Sequence, residues 1–404
     1  MTNARFLVLV ALALTVVYAA TARAQSSGST RTKRAPANAQ TAARSNAEFE
    51  QAVKLGDQAR SAGRLDEAVE SYTKALHVRP KWPDGWWYLG AIFYEKDRYT
   101  QAREAFSNLV ALDPKRGPAW GMLGLCEFQS RDYERAVISL QRGRTLGLAG
   151  NQELESVVRY HTALLYIRFE QFEVAYEILK EFLRIDNESS KIVEAFGLTM
   201  LRMPFLPNEI PPDKREQVLI SGQAGLNMAA RRLDDARTAF DTLLARYPNA
   251  PNVHYAFGVF LMNQDADAAL KEFRRELEIS PSHQPAMVQM AFEYLKRGDY
   301  DTALALAEKS VELAPKMYPA RNVLGRVLLQ LGQVDRAVKE LEEGVGLAPT
   351  SPEMHFALSR AYARAGRQAD AKREQDTFKQ LQDQYEARRS PRNNPDDNQS
   401  KAKP

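Results

Sequence analysis

The residues that most often carry chemistry are few in this sequence and far apart. The five histidines, at positions 77, 161, 254, 283 and 355, include no pair at metal-ligand spacing. There is no Gly-rich phosphate loop, no GxSxG motif and no HExxH motif. The sequence therefore predicts a non-enzymatic protein without a cofactor or metal. An active site assembled from residues distant in sequence stays open as the alternative.

Composition sets further limits on the kind of protein. The single cysteine, Cys126, excludes an internal disulfide framework and a zinc site built from several thiolates. A formal charge of +4 over 404 residues gives no reason to expect nucleic acid as a partner. With 44% hydrophobic and 26% charged residues, most of the chain can bury a core.

One pattern recurs along most of the chain. An alanine precedes a large residue by four positions, as in Ala68 with Tyr72 and Ala102 with Phe106. The same alanine returns, mostly at intervals of 33 or 34 residues, at Ala136, Ala236, Ala269, Ala303, Ala337 and Ala371. Twelve residues after the alanine stands a proline, at Pro80, Pro114, Pro248, Pro281, Pro315 and Pro349. A fixed period of this length predicts a repeat architecture.

Each recurring position has a physical reason. Apolar residues follow the helix period within each copy, which predicts two helices joined by a short turn. Small residues allow the two helices to cross closely, and the proline ends the second helix because it has no N–H. Glycines mark the turn in four copies, at Gly63, Gly298, Gly332 and Gly366.

These positions resemble the tetratricopeptide repeat family. The best unit carries Trp86, Leu89, Gly90, Phe93, Ala102, Phe106 and Pro114, with phenylalanine at 93 where tyrosine is usual. The resemblance implies an all-α fold, a right-handed α-solenoid of stacked antiparallel helix pairs. About nine units are expected, starting near residues 49, 83, 117, 156, 217, 251, 284, 318 and 352.

The fourth unit departs from the pattern. It has Thr162-Ala163 where Leu-Gly is usual, and the interval from Ala175 to Ala236 is 61 residues. About 27 residues are therefore inserted, which predicts a helix near 188–202 and a proline-rich loop at 203–212. The loop is either a linker, a hinge or a binding loop. We expect an N-terminal block at 48–186, the insertion at 187–216, and a C-terminal block at 217–388 that ends in a capping helix.

The two ends differ from the repeats. Arg5, the uncharged residues 6–20 and Ala22-Arg23-Ala24 predict a signal peptide at 1–24, cleaved before Gln25. A retained anchor is the alternative, but the apolar run is about 15 residues and a membrane span needs about 20. Residues 25–47 are predicted to be a disordered basic tether, and 389–404 a disordered tail.

The family resemblance implies that first helices line a concave face and carry the ligand contacts. Five aromatic residues fall at such positions: Trp87, Tyr94, Tyr255, Phe292 and Phe356. They could anchor a partner, since buried aromatics dominate many interfaces. Alternatively, they pack against neighbouring helices.

Four polar residues fall on the same predicted face near the C-terminus: Asn322, Arg326, Arg360 and Arg364. Arg326 and Arg360 are one repeat apart and should be neighbours. Arginines in this arrangement could grip an acidic segment or a C-terminal carboxylate through bidentate hydrogen bonds. The cluster loosely resembles the carboxylate clamp of chaperone-binding family members, although it lacks their lysines and paired asparagines. Solvated surface charge is the alternative.

The favoured function is a scaffold or adaptor outside the cytoplasm, periplasmic or secreted, that binds a protein or peptide on its concave face. Membrane contact is expected at most through the basic tether. A self-associating structural protein of the cell envelope is one alternative. A carbohydrate-binding or enzymatic helical scaffold is another, because a fold alone does not fix function.

Overall fold

The computed structural model describes residues 37–185 and 189–389, and over those ranges the chain forms α-helices and short 3₁₀ turns without any strand. The predicted all-α solenoid of stacked antiparallel helix pairs is confirmed. Contacts divide the chain into a first unit, up to Arg237, and a second unit, from Thr238.

The first unit holds ten helices and the start of the eleventh among the described residues. They are α1 (Ala37–Ser61), α2 (Leu65–Val78), α3 (Pro83–Glu95), α4 (Tyr99–Leu112), α5 (Gly117–Gln129), α6 (Tyr133–Leu146), α7 (Gln152–Arg168), α8 (Phe172–Lys180), α9 (Ser190–Met200), α10 (Arg215–Ala229) and α11 (Leu233–Arg246).

The second unit continues with four complete helix pairs in the part of the chain that is described. They are α12 (Val253–Leu261) with α13 (Ala266–Ile279), α14 (Gln284–Arg297) with α15 (Tyr300–Leu313), α16 (Tyr318–Gln330) with α17 (Val334–Leu347), and α18 (Pro352–Arg364) with α19 (Gln368–Arg389). The first helices of successive pairs also touch, α14 against α16 and α16 against α18.

Close helix crossings explain the small residues of the pattern. A Cβ added to Gly90 on α3 would lie 2.8 Å from the Phe106 ring on α4. A Cβ on Gly325 of α16 would lie 2.4 Å from Leu341 on α17. Real Cβ contacts are longer than this, so only glycine lets the large side chain of the second helix fill the crossing. Phe106 and Leu341 are accordingly fully buried.

The insertion is a packed part of the first unit. Its helix, α9, contacts α8 and α10, and the loop that follows buries Leu206 and Ile210. Arg168 of α7 donates hydrogen bonds to the Glu209 carboxylate at 2.9 Å and to the Pro204 carbonyl at 3.1 Å. These two hydrogen bonds tie the proline-rich loop to α7.

One predicted boundary is corrected by the structure, and several predicted terminal segments lie outside the described residues. Helix α1 begins at Ala37, so the last part of the predicted disordered tether, residues 37–47, is helical. The reason is the alanine-rich run, since alanine has the highest helix propensity. The predicted signal peptide, the rest of the tether and residues 390–404 lie outside the described residues. Within the described part, no helix is long and apolar enough to cross a membrane.

Candidate binding pocket

A pocket of about 360 Å³ lies in the second unit, between the first helices α14, α16 and α18 and the last helix α19. We call it the basic pocket because its charged lining is mostly cationic. Its charged side chains are Lys296, Arg326, Arg360, Arg364 and Glu353, a net charge of +3. Its apolar side chains are Leu295, Leu329, Phe356, Ala357 and Phe378.

The repeat period creates the basic pocket. Phe292, Arg326 and Arg360 occupy one equivalent position of three successive first helices, each 34 residues after the last. One helical turn further on, the equivalent residues are Lys296, Gln330 and Arg364. Because residues four apart share a helix face, stacking the three helices aligns both sets along one wall.

The arginines of this wall interact with an aromatic ring, with one another and with a backbone carbonyl. The Arg326 guanidinium lies 5.3 Å from the centre of the Phe292 ring, a cation–π contact that orients it. Partial burial, together with the neighbouring Arg360 guanidinium, lowers the pKa of Arg326. Arg364 donates a 2.7 Å hydrogen bond to the Leu329 carbonyl. Over residues 37–185 and 189–389, none of these three arginines forms an ion pair with a carboxylate.

Other arginines of the second unit show what the usual arrangement is. Their guanidinium groups contact carboxylates at 2.6–2.8 Å, in the pairs Arg275–Glu278, Arg297–Asp267, Arg321–Glu343, Arg336–Glu308 and Arg367–Asp370. The three pocket arginines thus share a local excess of positive charge, and an anion entering the pocket would relieve it.

Asn322 forms part of the pocket floor. Its side chain is buried, and its Nδ2 lies 3.4 Å from the Glu353 carbonyl and 3.2 Å from Met354 Sδ. Both are long or weak hydrogen bonds, so the amide is held between α16 and α18 without strong partners. The Glu353 carboxylate accepts a 2.8 Å hydrogen bond from Ser351 Oγ.

The structure gathers most, but not all, of the predicted partner-binding residues. Asn322, Arg326, Phe356, Arg360 and Arg364 all line the basic pocket, and Phe292 lies beneath Arg326. Whether they bind a partner stays a prediction.

The remaining three predicted contacts are core residues. Trp87, Tyr94 and Tyr255 are each at most 8% exposed. Trp87 packs edge-on against Phe106, and Tyr255 packs against Phe273. Their packing matches the alternative stated for the aromatics and leaves little surface for a partner.

Some pocket residues were missed by the sequence analysis. Gln330 lies one repeat before Arg364 and Lys296 lies two repeats before it, so the 34-residue register that gave Arg364 could have found both. Phe378 carried no such signal, since the last second helix departs from the pattern.

The histidines and the cysteine have structural environments. His254 and His355 each bridge a carboxylate and a backbone carbonyl, and burial raises the pKa of the Cys126 thiol. Among the described residues, no group of three histidine, cysteine or acidic side chains could hold a metal ion.

Comparison with known proteins places these features in a family. Tetratricopeptide repeat models match residues 53–117, 93–146, 223–283 and 294–361, together more than half of the chain. The general transcriptional corepressor trfA of Dictyostelium discoideum is 30% identical over 142 residues, which is 35% of this chain and 10% of that protein. The small glutamine-rich tetratricopeptide repeat-containing protein 2 of Mycosarcoma maydis is 33% identical over 97 residues, 24% of this chain and 28% of that protein.

Similarity to longer proteins and to solved structures is partial. The BBSome complex member BBS4 homolog of Drosophila melanogaster is 23% identical over 47% of this chain and 38% of its own length. The chain thus spans well under half of the length of these relatives. MamA from Desulfovibrio magneticus RS-1 is 21% identical with a TM-score of 0.37, and the match covers 42% of this chain and 96% of that one.

Proposed function

Because the chain belongs to the tetratricopeptide repeat family, we propose that it is a non-enzymatic scaffold that binds another protein through the basic pocket. The recognised feature is an acidic segment or a C-terminal carboxylate of the partner. The side chains that line such a pocket would give the recognition its specificity.

The observation that carries this proposal is the set of three arginines that have no carboxylate partner within the described part of the chain. Arginine presents a rigid fork of donors that matches both oxygens of a carboxylate. Arg326 and Arg360 lie side by side, and the mutual repulsion of their charges is part of what lowers the pKa of Arg326. A bound carboxylate would replace this repulsion with two charge-assisted hydrogen bonds.

The names of the relatives are consistent with a scaffold. They include a transcriptional corepressor, a member of the BBSome complex and a heat-shock protein cognate co-chaperone. Each of these names describes a protein that acts together with other proteins. They support protein binding by this chain, while its own partner follows only from the chemistry of the pocket.

We also propose that the protein acts outside the cytoplasm, after cleavage of residues 1–24 near Ala24-Gln25. The support is the charge and hydropathy pattern of the N-terminal sequence. This proposal is tested by measuring the intact mass of the protein after purification from the periplasm of a bacterium that expresses it. A mass starting at Gln25 is expected, and a full-length mass in the membrane fraction would instead support a retained anchor.

Binding is tested with labelled peptides of known sequence. Fluorescence anisotropy compares an eight-residue Asp/Glu-rich peptide with its Asn/Gln counterpart, on the wild-type chain and on the Arg326→Glu/Arg360→Glu double variant. The matched control is Arg275→Glu/Arg336→Glu, which changes the same charge at exposed arginines outside the pocket.

We expect the wild type and the control to prefer the acidic peptide, and the double variant to lose at least tenfold in affinity. If the double variant bound the acidic peptide as tightly as the wild type, the binding site would lie outside the basic pocket. Absence of any preference for the acidic peptide would overturn the proposed acidic partner. Circular dichroism of all three chains checks that the helical fold is retained.

A further inference from the structure

We infer that the ligand of the basic pocket carries a large apolar side chain two residues away from its acidic one. This inference rests on the proposed function and narrows it, since it states which acidic segments bind well. The observation behind it is the apolar half of the pocket, which an acidic group alone would leave exposed to water.

Phe356 is the centre of that apolar half. It is 46% exposed, and no other phenylalanine in the described residues is among the exposed large hydrophobic side chains. Its ring lies 5.3 Å from the ring of Phe378, which is half-buried on α19. An exposed phenylalanine is costly to keep in water, at roughly 25 cal/mol per Å² of apolar surface.

The end of a repeat array also exposes apolar side chains, because no further repeat packs there. That explanation alone does not account for Phe356. The ring lines the same cavity as Arg326 and Arg364, on the face that the first helices share. The apolar surface and the arginines therefore face one pocket, which favours one ligand that satisfies both.

The spacing on α18 sets the spacing on the ligand. Phe356 and Arg360 are four residues apart in one helix, which corresponds to about 6 Å along its axis. An extended chain advances about 3.3 Å per residue and places every second side chain on the same face. A segment lying along α18 can therefore put an acidic side chain on Arg360 and an apolar one on Phe356 when they are two residues apart.

The cationic lining makes the acidic half of the ligand specific. Four cations and one acid line the pocket, and the acid, Glu353, is engaged with Ser351. An apolar segment without an acidic residue would bury Arg326 and Arg360 without an anion, and burying an unpaired charge is unfavourable. The two halves of the pocket thus demand a ligand with both features.

The test uses four fluorescein-labelled eight-residue peptides in a Gly/Ser background. They contain Asp-Gly-Phe, Asp-Gly-Ala, Asn-Gly-Phe, or Asp and Phe as direct neighbours. Dissociation constants are measured by anisotropy on the wild type, Phe356→Ala, Phe356→Leu and Arg360→Ala. Phe356 is 46% exposed, so we expect its substitution to leave the fold intact, and circular dichroism checks this. The leucine variant keeps an apolar surface at the site.

On the wild type we expect Asp-Gly-Phe to bind at least tenfold tighter than Asp-Gly-Ala and than the direct-neighbour peptide. That advantage should disappear in Phe356→Ala and largely persist in Phe356→Leu. In Arg360→Ala, Asp-Gly-Phe and Asn-Gly-Phe should bind with similar affinity.

The outcomes separate this inference from the proposed function. Equal affinity for all peptides that contain aspartate would overturn the inference and leave the acidic partner standing. Equal affinity of Asp-Gly-Phe and Asn-Gly-Phe for the wild type would overturn the acidic partner itself. If none of the peptides binds, both are overturned for this pocket.

Discussion

At the scale of single residues, the same hydrogen bond recurs between the end of one repeat and the start of the next, and we call it the proline anchor. The carbonyl of the proline that closes a repeat accepts a hydrogen bond from a ring or guanidinium N–H six residues later. The distances are 2.8–3.0 Å for Trp86 to Pro80, Trp120 to Pro114, His254 to Pro248, Arg321 to Pro315 and His355 to Pro349. Tryptophan, histidine and arginine supply the N–H donor in these five repeats, whereas the equivalent residue after Pro281 is Met287, which has none.

Histidine makes this anchor sensitive to pH. Nε2 of His254 faces the Pro248 carbonyl at 2.9 Å and Nδ1 faces the Glu272 carboxylate at 2.6 Å. Both partners accept hydrogen bonds, so the ring satisfies them best as a doubly protonated cation. Burial alone lowers the pKa of His254, but these hydrogen bonds, with the charges of Glu272 and Glu276, outweigh it and raise the pKa.

We predict that His254 stabilises the fold at low pH and loses that contribution as the pH rises. A histidine whose folded pKa is raised binds its proton more tightly when folded. Its stabilisation is therefore complete below the unfolded pKa of about 6.5 and disappears as the pH passes the folded pKa. Urea unfolding at pH 6 and pH 9 should show that His254→Gln costs more stability at pH 6.

The Glu272→Gln variant is the matched control, because it removes the carboxylate and leaves the imidazole. In that variant the pH dependence of the His254→Gln cost should shrink. If His254→Gln lowered the free energy of unfolding by the same amount at pH 6 and pH 9, the proposal that the His254 ring is charged at low pH would be wrong.

A buried carboxylate replaces the missing cap of α12. Glu276 of α13 is fully buried and accepts hydrogen bonds from the backbone N–H of Asn252 at 2.9 Å and of Tyr255 at 3.2 Å. Burial raises the pKa of Glu276, and the two N–H donors act in the opposite direction. The carboxylate thus satisfies donors that a helix start leaves without partners.

We predict that Glu276→Ala lowers the free energy of unfolding by about 2–3 kcal/mol, because the buried N–H of Tyr255 and the part-buried N–H of Asn252 lose their acceptor. Glu276→Gln should cost about half as much, since its carbonyl oxygen still accepts one hydrogen bond. Glu278→Ala on the same helix is the control and should cost under ~1 kcal/mol, because its ion pair with Arg275 is exposed. Urea unfolding measures all three, and a similar loss for Glu276→Ala and Glu278→Ala would refute the capping role.

At the scale of helices, the insertion is held by one of the closest backbone approaches among the described residues of the first unit. A Cβ on Gly197 of α9 would lie 1.9 Å from the Val218 carbonyl oxygen of α10. A Cβ on Gly222 of α10 would lie 1.9 Å from the Val193 carbonyl oxygen. Backbone atoms cannot move aside as side chains can, so both glycines are required for this packing.

We predict opposite effects for two glycine-to-alanine substitutions within helices. Gly222→Ala should lower the free energy of unfolding by about 1–3 kcal/mol, because α9 and α10 must separate. Gly346→Ala on α17 should raise it by up to about 1 kcal/mol, because nothing lies within 4 Å and alanine favours the helix. Thermal unfolding of the two variants gives the comparison, and destabilisation by both would show that the crossing is not the cause.

The turns between paired helices show how far sequence could predict an element. The turn glycines at 63, 298, 332 and 366 all have positive φ, between 71° and 78°, as their type suggested. In other repeats the same left-handed position is held by Asp97 and Arg131, at φ 57° and 61°. Aspartate adopts this conformation more readily than most residues, whereas no local signal marks Arg131, whose strain is tolerated only once the flanking helices pack.

At the scale of the whole chain, the repeat period explains most of what could be predicted from the sequence. The 33–34-residue period determines the helix pairs, and it also brings Arg326 next to Arg360, so fold and basic pocket follow from the same register. Exposure does not follow from register. Phe356 is exposed while Tyr255, at an equivalent position, is buried, because the packing of their neighbours differs.

We predict that a higher salt concentration leaves the stability of this protein nearly unchanged but weakens its binding to an acidic peptide. Exposed ion pairs join successive repeats, as in Asp267–Arg297 and Glu308–Arg336, whose side chains are 37–77% exposed. Such pairs contribute about 0–1 kcal/mol each, and the buried apolar core contributes far more. The free energy of unfolding should therefore change little when NaCl is raised from about 0.1 to about 1 M.

Peptide binding should respond strongly over the same range. The screening length falls from about 10 Å to about 3 Å, so an acidic ligand loses most of its attraction to the cationic lining. We predict at least a tenfold loss of affinity for the Asp/Glu-rich peptide at the higher salt concentration, measured by anisotropy beside urea unfolding of the same sample. An affinity that does not change with salt would mean that the arginines of the basic pocket do not bind the peptide through their charge.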